Sequence, residues 1–314
     1  MTVGPRQFGR FCQVVIGNSA RGQGLVVEKL RIQFEITQTI LRTPNTATIK
    51  IYNLSQENEA LIKGEFDEVL VNAGYVGASK LIFAGNIRHS FAYKDGSDHI
   101  MELDCADGDA DFRNTVVNAV LTAGTTHAQA VDKLAAKFTS TKLGHMMVAG
   151  GKRIRGKVMS GPARKFFDEI AATNDAHWSI QNGVLQIVPV DSTLPTDAIV
   201  ISIKTGMLDA PELDDKGIKV TCLLNPSIRP NGKIWLNNND IKDAILRQRA
   251  AKPGAAKPKK PPKTKHLART DPDGIYKVYK QVLKGDTRGA GKDWVSEVFA
   301  VALEKTIPSG KAAA

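Results

Sequence analysis

The chain has 314 residues, of which 42% are hydrophobic, 24% charged and 6% aromatic, values that exclude wholesale disorder and collagen-like or disulfide-dense classes. No run approaches the about 20 apolar residues of a membrane helix, and MTVGPRQFGRFCQVVIG lacks the apolar core and cleavage site of a signal peptide, so synthesis and assembly in the cytoplasm are expected. The formal net charge is +11, and nine basic residues with no acid lie between Arg247 and Arg269, which leaves +2 elsewhere and implies that one segment carries the basicity of a near-neutral body.

Residues 1–107 read as β throughout. Leu30, Ile32, Phe34 and Ile36 alternate with polar residues, and Ile49 and Ile51 alternate with Thr48, Lys50 and Tyr52. The helix SQENEALIKG follows, with Ser55 as cap and Gly64 as stop. Then come a strand at 68–75 and a hairpin, Phe83 to Asp107, turning at Lys94-Asp95-Gly96-Ser97. From 108 to 192 the period changes. Thr126 to Phe138 and Ser160 to Asn174 predict helices, the second capped by Ser160 with Pro162 in its first turn. HWSIQNGVLQIVP predicts a hairpin around Gln181-Asn182-Gly183, with Trp178 and Ile180 facing Leu185 and Ile187 and Trp178 pointing inward. The β pattern returns over 193–306, interrupted at about 250–272 by Pro, Lys, Ala and Gly, and 307–314 reads as a flexible tail.

The two ends share one order of elements. Leu30 to Ser55 runs strand, Thr43-Pro44-Asn45 turn, strand; GIKVTCLLNPSIRPNGKIWLNNND runs strand, Arg229-Pro230-Asn231-Gly232 turn, strand. A hairpin closes each copy, the second at Gly274 to Leu303, and matched strands lie about 185–190 residues apart. The predicted fold is therefore mainly β: two related β-barrel domains, 1–107 and 193–306, flank a small α/β module at 108–192. Duplication of this kind lets three chains present six similar units around one axis.

Motifs for chemistry are weak. Cys12, Cys105 and Cys222 are odd in number and form no CxxC pair, so buried reduced thiols are expected. The six histidines lack metal-ligand spacing. Asp107-x-Asp109-x-Asp111 opens like a calcium loop, but Phe112 and Asn118 stand where glycine and glutamate are needed, which favours a solvated turn closing the first barrel. Gly17 to Gly24 and Ala149 to Lys157 place glycines beside basic residues without the phosphate-loop pattern, and both read as hairpin turns. No GxSxG or recognisable nucleophile occurs, so no catalysis, cofactor or metal is expected.

IKIYNLS, HWSIQNGVLQIVP, APELDDKGIKVTCLLNPSIRPNGKIWL and GIYKVYKQVLKGDTRGAGKDWVSEVFAV, in that order, resemble the baseplate hub proteins of tailed bacteriophages. The resemblance implies two tube-like barrels per chain and a homotrimeric, non-enzymatic virion protein. It would join the six-fold tail tube, or a distal tube-initiator protein, to a three-fold central spike. Further implied partners are the C-terminus of the tape measure and the baseplate wedge, with no membrane and nucleic acid only in transit. Thr43, Pro44 and Asn45, with Arg229, Pro230 and Asn231, are the turns expected to touch the adjacent ring. Lys257, Lys259, Lys260, Lys263 and Lys265 form a basic partner loop, read first as a solvated linker, then as a protein contact, then as a DNA contact; it carries no aromatic for stacking on bases. Two other readings are a cell-wall or glycan-binding module centred on 125–190 and a DNA-contacting protein that uses the loop.

Overall fold

A computed structural model describes residues 7–18, 22–148, 150–152, 155–214, 217–236 and 274–303. The chain starts with strands β1 (Arg10–Asn18), β2 (Gln23–Val27), β3 (Ile32–Thr39) and β4 (Thr46–Tyr52), then helix α1 (Gln56–Gly64). Ser55 caps α1 by accepting from the amide of Asn58, as its sequence predicts. Strands β5 (Glu68–Tyr75), β6 (Lys80–Asp95) and β7 (Asp98–Ala106) follow. The middle of the chain holds α2 (Asp109–Asn114), β8 (Val116–Leu121), α3 (His127–Ala135), β9 (Lys142–Met146), β10 (Lys157–Pro162), α4 (Ala163–Thr173), β11 (Ala176–Gln181) and β12 (Val184–Pro189). The rest comprises β13 (Ile199–Ile201), β14 (Glu212–Asp214), β15 (Gly217–Leu223), β16 (Lys233–Leu236), β17 (Ile275–Asp286) and β18 (Trp294–Ala302).

Alternation sets the burial. In β3, Ile32, Phe34 and Ile36 turn inward; in β4, Ala47, Ile49 and Ile51 do so, and the register pairs Phe34 with Ile49. Thirteen strands form one sheet whose main path runs β14-β15-β18-β17-β3-β4-β7-β6-β5-β1-β2, with β16 joined to β17 and β13 joined to β16. The N-terminal and C-terminal β units are thus continuous through a β3–β17 seam. Among the described residues no pairing closes either unit into a ring. Three apolar cores form: one under β1 to β7, one within 117–187, and one at 201–302. The first also takes in Leu224, Leu283 and Trp294 from the far end of the chain. All three cysteines are free and buried, and burial pushes each thiol up to about 12.

Several expectations change. Thr126 caps α3 in a capping box with Gln129, but Ser160 lies in β10 and caps nothing; Pro162 stands just before α4. The repeat keeps its order of elements but not its pairing. β3 and β4 form a hairpin, whereas β15 pairs with β14 and β18, and β16 with β13 and β17. β1 and β2, on either side of the Gly17 to Gly24 segment, pair antiparallel up to Asn18 opposite Gln23, whereas β9 and β10, on either side of the Ala149 to Lys157 segment, belong to different sheets.

Candidate functional site

The seam is built first from backbone pairing, Lys280 opposite Thr39 through to Asp286 opposite Gln33. Beneath it, Phe34 meets Trp294 edge to face, with centroids 5.4 Å apart at 72°. Gly285 leaves room for both rings: a Cβ there would collide with the Phe34 ring and stand 2.8 Å from Trp294 Cζ3. At the rim, Asp286 accepts from Arg31 Nη2 at 2.7 Å and from Gln33 Nε2 at 2.7 Å. Tyr52 donates to Gln33 and lies under the Arg31 guanidinium, 4.5 Å from its ring centroid. Arg10 donates to the carbonyls of Asp286, Gly289 and Ala290 at 2.7–2.8 Å, tying β1 to the β17–β18 turn.

Burial pushes the Asp286 carboxyl up, but the bonds from Arg31, Gln33 and the Arg288 amide outweigh it and hold the group at about 2. This folded value lies below the ordinary 3.8, so the stabilisation is present above pH 3.8 and is lost as pH falls toward 2. An acid titration monitored by circular dichroism should show wild-type stability falling across that window by about 1–2 kcal/mol. Asp286→Asn should be less stable at pH 7 and should fall by less over the same range, the remaining slope coming from other carboxylates such as Asp111, whose pKa is also lowered. An equal slope in both proteins would remove Asp286 from the account.

The outward face of the shared sheet carries charged rows across the seam. Lys284 lies opposite Glu35 and bonds Glu297 at 2.9 Å; Lys50 lies opposite Glu102, and the two sit 3.2 Å apart beside Tyr93. Four cations (Arg31, Lys50, Lys284 and Lys292) and four acids (Glu35, Glu102, Asp286 and Asp293) line an open groove of ≈ 620 Å³ on this face. Opposite charges in neighbouring rows cancel locally, so the face is strongly polar without a net field.

A second junction fixes the insert to the first β unit, and it corrects the reading of the acidic triplet. Asp107, Asp109 and Asp111 are buried and not a solvated turn. Asp107 accepts from the amides of Asn182 (2.5 Å) and Gly183 (2.8 Å) in the β11–β12 turn, and from Asn45 Nδ2. Burial pushes it up to about 6 against those bonds. Asp109 pairs with Arg88 at 2.5 Å and with Arg113. Asp111 accepts from the amides and hydroxyls of Thr139 and Ser140 and from the amide of Thr141, at 2.7–2.9 Å. Burial raises its pKa and these donors lower it, with a net lowering. On the other side, buried Lys277 donates to the carbonyls of Pro189 and Val190, where the insert ends; burial pushes its pKa down to about 8 while Asp191 pulls it up. The sequence signal for this junction was slight: three acids at the point where the period changes.

The predicted contact residues divide. Thr43 and Arg229 are exposed and Pro44 is half-buried. Asn45, Pro230 and Asn231 are buried within the chain and have no free surface for a neighbour. Asn45 bonds Ile180, Gln181 and Asp107, and its Oδ1 accepts from the Thr39 amide. Asn231 takes a left-handed φ of 64° and exchanges backbone bonds with Leu194 and Val278. Lys257, Lys259, Lys260, Lys263 and Lys265 lie outside the described residues. Trp178 is 3% exposed, packs between Phe112 and Phe167, and donates to Asp168, so it offers no face to a sugar. The charge reading also needs correction. The loop is not alone: residues 112–167 hold ten basic residues and one acid, Asp132, so the remainder of the chain is net acidic.

A family model described as baseplate hub gp41 matches residues 12–241. A search of curated proteins found no match. Among solved structures, the chain is similar to a tail protein from Neisseria meningitidis MC58 (9% identity, TM-score 0.60, covering 96% of this chain and 99% of that one). It is also similar to the 43 kDa tail protein of prophage MuSo2 from Shewanella oneidensis (9% identity, TM-score 0.58, 95% and 99%). A third is the E. coli c3393 protein, described as a type VI secretion component with structural similarity to T4 phage tail proteins gp27 and gp5 (9% identity, TM-score 0.54, 92% and 76%). At these identities the likeness is one of fold.

Proposed function

The chain belongs to the baseplate hub gp41 family, and from that premise we propose that three copies close into the hub that joins the six-fold tail tube to the three-fold central spike. The observation that carries this reading is the seam. It makes one chain contribute two β units edge to edge, with β2 and β14 at the ends of the sheet path. Three chains joined head to tail through those ends supply six arcs of a ring, which accepts a six-fold tube from a three-fold assembly. The charge-balanced face lines the channel, so nucleic acid in transit meets no net attraction. Exposed Thr43 and Arg229 face the next ring, toward the tube or a tube-initiator protein. The insert stands outside the ring or toward the spike, and the tape-measure C-terminus and baseplate wedge are further partners. The role is structural and not catalytic, in the virion tail after assembly in the host cytoplasm.

Light scattering on the purified protein, alone and with its neighbouring tail proteins, tests the proposal. The expected mass is three times the 34.0 kDa chain, either alone or once the spike is present. A monomer at micromolar concentration under both conditions would sink it. No observation favours the glycan-binding alternative, since the one tryptophan of 125–190 is buried.

A further inference from the structure

The insert contains a surface that neither the seam nor the junctions use. β8 and β10 pair only with each other, making a two-stranded ribbon. Its inner row, Val117, Leu121 and Met159, is buried in the core of the insert. Its outer row is apolar at both ends: Val120 stands opposite Val158 and Val116 opposite Pro162, with Ser160 donating to Asn118 between them. Val116, Val120 and Val158 are 61%, 62% and 71% exposed. β8 reads VVNAVL, with no charge and no proline, and among the described residues no strand covers its other edge. Soluble proteins ordinarily protect such an edge with lysine, proline or a bulge. Here the protection is missing on a strand whose outward side chains are Val116, Asn118 and Val120.

The surroundings fix the chemistry of the occupant. Arg113, which also pairs with Asp109, and Lys165 are exposed at one end of the ribbon, and Lys152 and Arg155 at the other; Lys157 of β10 is paired with Glu169. A second copy docking by its own ribbon would set basic ends against basic ends in either direction. Nucleic acid would satisfy the charge but leave the valines in water, and none of the exposed large hydrophobics of 112–167 is an aromatic on which bases could stack.

We propose that the β8–β10 ribbon is a docking strip for an extended, acidic segment of another tail component that alternates apolar with polar side chains and adds a strand to the β8 edge. Main-chain bonds to the free edge supply affinity, the valine rows read alternate apolar side chains, and the basic ends select acidic flanks. One chain defines the strip, so it stands whether or not three chains close.

The test uses the full chain and labelled peptides in fluorescence anisotropy. One probe alternates valine with threonine between flanking aspartates; a second has flanking lysines; a third is the first with a central proline. A single-stranded oligonucleotide is the fourth probe. The aspartate peptide should bind at least about tenfold more tightly than the other three. Val120→Asp with Val158→Asp should weaken that binding by at least about tenfold while the thermal melt stays in place, because both side chains are solvent-facing. The proposal is overturned if the aspartate peptide does not bind, if it binds the double variant equally well, or if the oligonucleotide binds as tightly and is lost in the same variant. A double variant that changes only the mass in light scattering would assign the strip to self-association and overturn it equally.

Discussion

Gly285→Ala should lower the stability of the folded chain by about 3 kcal/mol, at the upper end of overpacking costs. The added methyl would meet the Phe34 ring with Trp294 Cζ3 at 2.8 Å behind it, and neither ring can retreat. Phe34 is held edge to face against Trp294, which is itself 1% exposed. Backbone movement is equally restricted, because β17 is paired on one side to β3 and on the other to β18. Denaturant unfolding followed by tryptophan fluorescence reads the loss. The double variant Phe34→Leu, Gly285→Ala should recover part of it, since the obstacle is the ring. If Gly285→Ala stays within about 0.5 kcal/mol of the parent, the range of an ordinary surface change, the seam is looser than its packing indicates.

Asp111→Ala should cost about 2–3 kcal/mol, for a different reason. The carboxylate satisfies three successive amides, Thr139 to Thr141, and two hydroxyls, at a place where the chain leaves α3 and turns into β9. Alanine leaves the amide of buried Thr141 without its acceptor, which costs about 1–3 kcal/mol, while the donors of exposed Thr139 and Ser140 exchange a charged acceptor for water at a smaller cost. Asp111→Asn keeps one acceptor oxygen and should lose about half as much. Hydrogen exchange localises the effect: the amides of residues 139–141 should lose protection in the alanine variant before the core amides of β3 and β4 do. Unchanged protection at those three positions would mean that the loop is held by something else.

The strands that alternate strictly were readable, and so were the local signals around them. Ile32-Phe34-Ile36, the Ser55 cap and the Asn182-Gly183 turn each act through near neighbours, and the structure keeps them. β8 and β10 escaped notice although VVNAVL alternates, because a six-residue ribbon between helical patterns has little periodicity of its own. The seam was not legible at all. It joins residues about 250 positions apart, and no local pattern specifies which strand edges meet. The acidic triplet misled for a related reason. Three aspartates in five residues look like solvated turn chemistry, and only tertiary structure shows that the donors of Asn182, Arg88 and Thr139 converge on them. The buried turn residues Asn45 and Asn231 follow the same rule, since their side chains and backbone answer partners far along the chain.

The core of the N-terminal β unit has a consequence for synthesis. It is completed by Leu224, Leu283 and Trp294, with Arg10 and Arg31 anchored on the turn at Asp286. While the ribosome is still translating the first 280 codons, β3 has an open edge and Phe34 has no partner ring. The unit therefore waits as an unfinished, apolar intermediate until almost the whole chain has emerged, a high-contact-order route that is slow and prone to aggregation. A fragment cut after residue 107 lacks the pieces that finish its core, and a nascent chain stalled before β17 is the species a holding chaperone would be needed to protect.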